Sequence, residues 1–161
     1  MGKFAAFFEK YDRLVLFDTE TTGLSAANCE IIEIAACIVA EGKIRDQFHC
    51  YVKPTQPIPQ RITELTGIRE DMVRDANPIE VELPRFLEFC GNRPLVAHNA
   101  DFDVGFVREA ARRILKLSAV RMRCEDRLRA VRQRVLDAFV RKMRHVERDA
   151  EAVHLMKNLA P

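Results

Sequence analysis

The stretch Arg13-Leu-Val-Leu-Phe-Asp-Thr-Glu20 decides the fold, because it joins a short apolar run directly to two acids. The apolar run is typical of a buried β-strand. Asp18 and Glu20 are two positions apart, so on a strand their side chains point to the same face. Two converging carboxylates are costly unless they are solvated or bound to a cation. A solvated strand end and a site for Mg²⁺ or Mn²⁺, which oxygen ligands suit, are the two alternatives here.

The pattern on either side of this strand predicts an α/β protein built on a mixed sheet. An antiparallel hairpin is predicted from residues 30–40 and 44–52, and prolines 54, 57 and 59 end it. The order of elements predicts that crossover helices join the hairpin to parallel strands. The remaining predicted elements are helices over 60–65, 78–90 and 101–117, a strand over 94–97, a weak strand over 120–124, a helical stripe over 128–143 and a terminal helix over 146–159.

Length and composition exclude several classes of protein. With 161 residues, 48% hydrophobic and 31% charged, the chain is long enough for one domain over residues 1–161 and is neither collagen-like nor intrinsically disordered. No apolar run approaches the roughly 20 residues of a membrane span. The five cysteines are scattered and form no C-x-x-C pair, which indicates reduced thiols. A cytoplasmic protein without a membrane segment is expected.

The net charge of +2 conceals a division of the chain. Residues 1–107 carry a balance of −6, and residues 108–161 carry a balance of +8. A basic segment beside an acidic one favours a polyanionic partner. Solvated helix faces are the alternative explanation.

Two more carboxylates and a histidine extend the acidic pair. Asp103 lies in the first turn of a predicted helix, where Asp101 is better placed for simple helix stabilisation. Asp149 lies on the apolar face of the terminal helix. His145, four residues earlier, shares that face if the helix extends back that far, and otherwise it is exposed among arginines. Four carboxylates and a histidine are enough for two divalent ions and a general base.

Two longer motifs identify a family. Residues 17–24 (Phe-Asp-Thr-Glu-Thr-Thr-Gly-Leu) and 96–106 (Val-Ala-His-Asn-Ala-Asp-Phe-Asp-Val-Gly-Phe) resemble the first and second motifs of the DnaQ-like, DEDDh-type 3′→5′ exonucleases. Residues 149–152 are similar to the end of the third motif. Residues 30–34, 54–59, 65–68 and 92–96 follow the pattern of the proofreading exonucleases of bacterial DNA polymerase III (epsilon subunit or PolC exonuclease domain). The resemblance covers residues 12–108 well and 145–160 in part.

The resemblance implies an RNase H-like fold and an enzyme that removes nucleotides from DNA 3′ ends in proofreading or repair. It implies two divalent ions, Mg²⁺ or Mn²⁺, of which one activates water and the other stabilises the leaving 3′-oxygen. His145 is then the candidate for the group that takes the proton from the attacking water. The implied metal ligands are Asp18, Glu20, Asp103 and Asp149.

The resemblance also implies a site for a single-stranded DNA 3′ end, and a DNA polymerase catalytic subunit as a partner. For Leu65 and Phe102, core packing is an equal alternative. The implied substrate-binding residues are Thr21, Thr22 and Gly23 beside the terminal sugar, Leu65 and Thr66 wedged against the bases, Phe102 near the sugar, and His98 and Asn99 as loop-orienting or phosphate-contacting residues.

The third motif departs from the family pattern. The family usually has its histidine five residues before the last aspartate, but position 144 is Arg and His145 is four before Asp149. Residues 118–145 are also shortened or divergent. Two further readings therefore stay open, namely an RNA-directed exonuclease of the same superfamily and a catalytically impaired module that binds nucleic acid or a polymerase.

Overall fold

A mixed sheet forms the centre of the fold. The computed structural model describes residues 13–41, 43–97 and 99–115. In those residues the strands are β1 (Arg13–Thr21), β2 (Ile31–Ala40), β3 (Lys43–Tyr51) and β4 (Leu95–Val96). They form one sheet in the order β3-β2-β1-β4. The β1–β2 and β2–β3 pairs are antiparallel, and β4 runs parallel to β1. The predicted hairpin and parallel pair are thus confirmed.

The described helices are α1 (Gln60–Thr66), α2 (Glu70–Val73), α3 (Ile79–Cys90) and α4 (Ala100–Leu115). Three of them lie close to their predicted positions, whereas α2 was not predicted, because four residues are too few to show a helical period. Gly67 follows α1 with φ 77°, and Gly91 follows α3 with φ 54°. Glycine adopts a positive φ at little steric cost, which makes it a common residue at the end of a helix.

The main core lies between one face of the sheet and the helices α3 and α4. Val15 and Phe17 of β1 face this core, and the Phe17 ring lies 5.6 Å from that of Phe86 on α3. The predicted apolar stripe of α4 packs here, with Phe106 buried at its centre. The opposite face of the sheet carries a second apolar cluster that includes Leu14 and Val96. Burial of both faces explains why β2 is buried along its whole length.

A bulge interrupts the sheet beside the two acids of β1. Glu20 pairs with Glu33, but Thr21 pairs with Ile31, so β2 contains one extra residue at this point. That residue, Ile32, packs in a separate cluster with apolar residues of α1 and α2. The bulge therefore connects the end of β1 to the two short helices. Bulges commonly redirect side chains next to functional sites.

β1 extends four residues beyond the predicted apolar run. The hydropathy signal ends at Phe17, but pairing with β2 continues to Thr21. Asp18 and Glu20 therefore lie within a paired strand, and the alternation of strand side chains keeps them on one face, as predicted.

The predicted weak strand, helical stripe and terminal helix of the last third lie outside the described residues. In the part of the chain that the structure describes, no helix combines the length and apolar character that a membrane crossing requires.

A hydrogen bond between Glu33 and His49 connects β2 to β3 on the same sheet face as Asp18 and Glu20. Glu33 is 1% exposed, and its Oε1 lies 2.8 Å from Nε2 of His49. The His49 ring packs edge-on against Tyr51 at a centroid distance of 5.2 Å. Because Glu33 is the cross-strand neighbour of Glu20, this pair holds one of two adjacent acids toward β3.

We expect His49→Ala to lower the free energy of unfolding by about 1–3 kcal/mol, because it removes a hydrogen-bond partner from a buried carboxylate. Urea unfolding at neutral pH measures the change. Gln47→Ala, an exposed position on the same strand, is the matched control and should change stability by less than about 0.5 kcal/mol. Equal effects of the two substitutions would contradict the structural role of the pair.

Candidate active site

The site begins with the acidic end of β1. Asp18 and Glu20 are half-buried and alternate with the buried Thr19 and Thr21. Strand alternation places the two acids on the face of Leu14 and Leu16, and places Thr19 on the face of Phe17, which α4 covers. The end of β1 thus presents carboxylates on one side and a hydroxyl on the other.

Thr19 ties this strand end to α4 through a single carboxylate. Its backbone N–H and its hydroxyl both donate to Oδ1 of Asp103, at 2.9 Å and 2.8 Å. The N–H of Val15 donates toward the β4 side, to the carbonyl of Pro94, and the N–H of Thr19 points the same way. β4 ends at Val96, so no β4 carbonyl is available to the N–H of Thr19, and the Asp103 carboxylate accepts its hydrogen bond instead.

Burial makes the Asp103 carboxylate hard to ionise. The side chain is 2% exposed. Desolvation, together with a smaller effect from the charge of Glu20, raises its pKa from 3.8 to about 6 against the opposing effect of the Thr19 hydrogen bonds. Glu20 and Asp103 therefore repel each other, and a cation between such groups would relieve both the repulsion and the desolvation cost.

The donor set is chemically suited to a hard divalent cation, since all its members are carboxylates. Within residues 13–41, 43–97 and 99–115, no three acid, histidine or cysteine side chains are grouped closely enough to hold a metal ion. The fourth predicted ligand, Asp149, and the predicted base, His145, lie outside the described residues. The described part of the chain thus supplies three of the four predicted carboxylates, on one strand end and one helix.

The loop after β1 is held tightly at its predicted substrate-binding residues. The Thr21 hydroxyl donates to the Gly23 carbonyl at 2.6 Å. The N–H of Thr22 donates to the Glu30 carbonyl, and the Thr22 hydroxyl accepts from the N–H of Glu30. A Cβ on Gly23 would lie 2.7 Å from Sγ of Cys29, so no larger residue fits without movement. The backbone here is therefore held by hydrogen bonds and packs closely against Cys29.

Two large apolar side chains project from this region. Leu65 on α1 is 80% exposed, so core packing does not account for it. Leu24, directly after Gly23, is 82% exposed, and the sequence analysis did not single it out. Its only signal in the sequence is its place at the end of the first motif. Thr66, by contrast, uses its hydroxyl to bond the Ile62 carbonyl and to accept from the Ile68 N–H.

The start of α4 contains the remaining predicted residues. Asn99 is exposed, and its carbonyl accepts from the N–H groups of Phe102 and Asp103, which forms the first turn. Phe102 is half-buried and packs on Phe106 at a ring distance of 4.8 Å, so core packing explains at least part of its role. His98 lies outside the described residues.

A protein-family model described as "Exonuclease" (RNase T) matches residues 15–157 of the chain. The chain belongs to this exonuclease family. The match spans both described motifs and the segment beyond residue 115.

Curated relatives of this chain are DNA polymerases. The chain is 54% identical over 100 residues to the PolC-type DNA polymerase III of Caldanaerobacter subterraneus subsp. tengcongensis, and 51% identical over 98 residues to that of Clostridium perfringens. These alignments cover 62% and 61% of this chain. The chain spans only 7% of the length of either polymerase.

Solved structures with the same fold include exonuclease I. A product-bound exonuclease I matches with a TM-score of 0.60 at 18% identity, over 65% of this chain and 26% of that one. Escherichia coli exonuclease I in complex with a dT13 oligonucleotide matches with a TM-score of 0.59, also at 18% identity, over 64% of this chain and 24% of that one. At this identity the likeness shows the RNase H-like exonuclease fold, which confirms the predicted fold class.

Asp103→Asn should stabilise the metal-free protein at neutral pH. Because the pKa of Asp103 is about 6 in the folded state against 3.8 ordinarily, the folded state binds the proton more tightly. Its stabilising contribution is full below pH 3.8 and is lost as the pH rises through 6. Asparagine keeps an oxygen for Thr19 but carries no charge, so we expect a gain on the order of 1–3 kcal/mol at pH 7.5.

Urea unfolding in EDTA at pH 7.5 and pH 4 measures this difference. Near pH 4 the wild type and Asp103→Asn should be almost equal. Asp101→Asn, an exposed acid in the same turn, is the control and should show no comparable dependence on pH. A gain that is the same at both pH values would show that charge burial is not its cause.

Proposed function

We propose that this chain is a metal-dependent 3′→5′ exonuclease that hydrolyses phosphodiester bonds at DNA 3′ ends in proofreading or repair. The observation that carries the proposal is the junction of β1 and α4, where Thr19 holds Asp103 beside the strand that carries Asp18 and Glu20. A polyanionic strand approaches carboxylates such as these favourably only when cations neutralise their charge. The membership in an exonuclease family supports the same chemistry.

The proposed metal ligands are Asp18, Glu20, Asp103 and Asp149, which together would hold two Mg²⁺ or Mn²⁺ ions. Divalent ions bound by carboxylates supply activation of water and neutralisation of phosphate charge. His145 is proposed to accept the proton of the attacking water at its imidazole. Thr19 orients Asp103, because its two donors bind Oδ1 and thereby set the direction of the carboxylate.

The proposed substrate site surrounds the loop after β1. Backbone groups of this loop approach the terminal sugar, and the exposed leucines contact the terminal bases, a sequence-tolerant mode of binding. Thr66 and Phe102 shape the site, since both have structural contacts of their own. The full set of proposed substrate-binding residues is Thr21, Thr22, Gly23, Leu24, Leu65, Thr66, His98, Asn99 and Phe102.

We propose a DNA polymerase catalytic subunit as the protein partner, since the relatives are PolC-type DNA polymerases III. Cytoplasmic location follows from the same proposal. The four cysteines in the described residues carry free thiols, which suits a reducing compartment.

A 5′-labelled single-stranded DNA tests the reaction. With Mg²⁺ or Mn²⁺ the full chain should shorten the strand from its 3′ end, and EDTA should stop the reaction. Asp18→Ala should lower the rate by a factor of at least about 100, since loss of an indirect metal partner alone costs 10–100-fold. Asp46→Ala, an exposed acid on β3 at the opposite end of the sheet, should retain the wild-type rate.

Shortening that persists unchanged in Asp18→Ala would refute the assignment. A matched RNA strand in competition tests the RNA-directed alternative, because only recognition of the 2′-hydroxyl separates the two substrates. Tight binding of the strand without cleavage under either ion would favour the catalytically impaired module.

The role of His145 has its own test. If His145 accepts the proton, His145→Ala should lower the rate constant at neutral pH by roughly 10²–10⁴-fold with little change in strand affinity. His154→Ala, another histidine of the same segment, is the matched control. A rate constant equal to that of the control would show that His145 is not the base despite its spacing from Asp149.

A further inference from the structure

An arginine lies beside the loop that follows β1, and no sequence motif predicted that it would lie there. Arg61 is an exposed residue in the first turn of α1. One guanidinium nitrogen, Nη2, lies 3.9 Å from the position that a Cβ on Gly23 would take. The guanidinium therefore reaches the backbone directly after Thr21 and Thr22. Arg61 is 38 positions from Gly23 in the sequence, so no local sequence pattern could predict this contact.

The charge of Arg61 has no acidic partner among the residues that the structure describes. The arginines that form ion pairs there are bound to acids nearby in sequence, as Arg45 is to Glu41 and Arg69 to Asp71. The acid one turn along from Arg61, Glu64, instead accepts a hydrogen bond from Gln60 at 2.8 Å. Arg61 thus carries an uncompensated charge toward the loop, and guanidinium groups in this state bind phosphate well.

Apolar side chains lie on both sides of the contact between Arg61 and Gly23. Leu65 is four residues after Arg61 and shares its helix face, and Leu24 directly follows Gly23. Both leucines are at least 80% exposed. A cation combined with exposed apolar groups matches a nucleotide, which has a charged phosphate and an apolar base face. A free inorganic anion would make no use of the two leucines.

From this arrangement we infer that Arg61 is a substrate-binding residue that pairs with a phosphodiester group of the bound single strand. The inference deepens the proposed function and depends on a nucleic-acid strand lying along this loop. The acids of β1 and Asp103 need cations before they tolerate phosphate, whereas Arg61 binds it directly. Arg61 therefore contributes to affinity for the strand and not to the bond-breaking step.

Binding of a fluorescein-labelled (dT) oligomer with Mg²⁺ present tests the inference, and every protein in this measurement and the next carries Asp18→Ala so that cleavage is slow. Arg61→Ala should weaken the affinity several-fold and should reduce the slope of log Kd against log salt by about 0.7, the value for one phosphate contact on a single strand. Arg61→Lys should keep the slope, because it keeps the charge. Arg45→Ala removes the same charge at the opposite end of the sheet and should change neither quantity.

A second measurement locates the phosphate. Oligomers with one uncharged methylphosphonate at each of the last four linkages are compared for the protein that has Arg61 and for Arg61→Ala. At the linkage that Arg61 contacts, the methylphosphonate should weaken binding by the protein that has Arg61 but not by Arg61→Ala. The two changes are then non-additive, as expected for two groups in direct contact. Additive losses at every linkage, or an Arg61→Ala slope equal to that of Arg45→Ala, would overturn the inference.

The two proposals fail in different ways. If the chain binds the strand with the expected Arg61 dependence but does not cleave it with either metal, the exonuclease proposal fails and the Arg61 inference stands. If the chain cleaves the strand and Arg61→Ala leaves the salt slope and KM unchanged, only the Arg61 inference fails. When cleavage is observed, KM should rise in Arg61→Ala while kcat stays near the wild-type value.

Discussion

The two hydrogen bonds from Thr19 to Oδ1 of Asp103 are the constraint on which the rest of the site depends. They join residues 84 positions apart, and they are made in a place where both the donor N–H and the acceptor carboxylate are buried. β4 is only two residues long, so without Asp103 the N–H of Thr19 would lack an acceptor on that side. The same carboxylate is kept difficult to ionise by its burial. The contact thus provides a hydrogen-bond acceptor for the N–H of Thr19, and it also holds a carboxylate that is unfavourable to ionise beside Glu20.

This constraint also explains how the acids are distributed. Asp18 and Glu20 lie on one face of β1, whereas α4 packs on the other, so Asp103 reaches the strand end from the opposite side. The extra residue of β2 at the bulge, Ile32, packs against apolar residues of α1 and α2. Carboxylates, the Thr-Thr-Gly loop and the exposed Leu24 thus lie at one end of β1. Glu33, a further acid on this face, is hydrogen-bonded to His49 of β3.

Much of the fold could be predicted, because local patterns specify it. The apolar patterns of β2, α3 and α4 are properties of short segments, and the structure confirms these elements. α2 was missed because four residues are too few to show a helical period. The exposure of Leu65 separated it from core packing, a distinction that periodicity cannot make for an isolated apolar residue. The predictions for His98, His145 and Asp149 remain predictions, since these residues lie outside the described part of the chain.

The sequence by itself determined which acidic residues are candidates for metal ligands and which family they indicate. Two long motifs with acids at defined spacing were sufficient to recognise an exonuclease, because alternation along a strand and position within a helix turn are local geometry. Only the tertiary structure decided how those acids are held and what surrounds them. The bonds of Thr19 to Asp103, the hydrogen bond of Glu33 with His49 and the approach of Arg61 to Gly23 are contacts between separate segments. Such contacts follow from how strands and helices pack together, and no short-range pattern of residues encodes them.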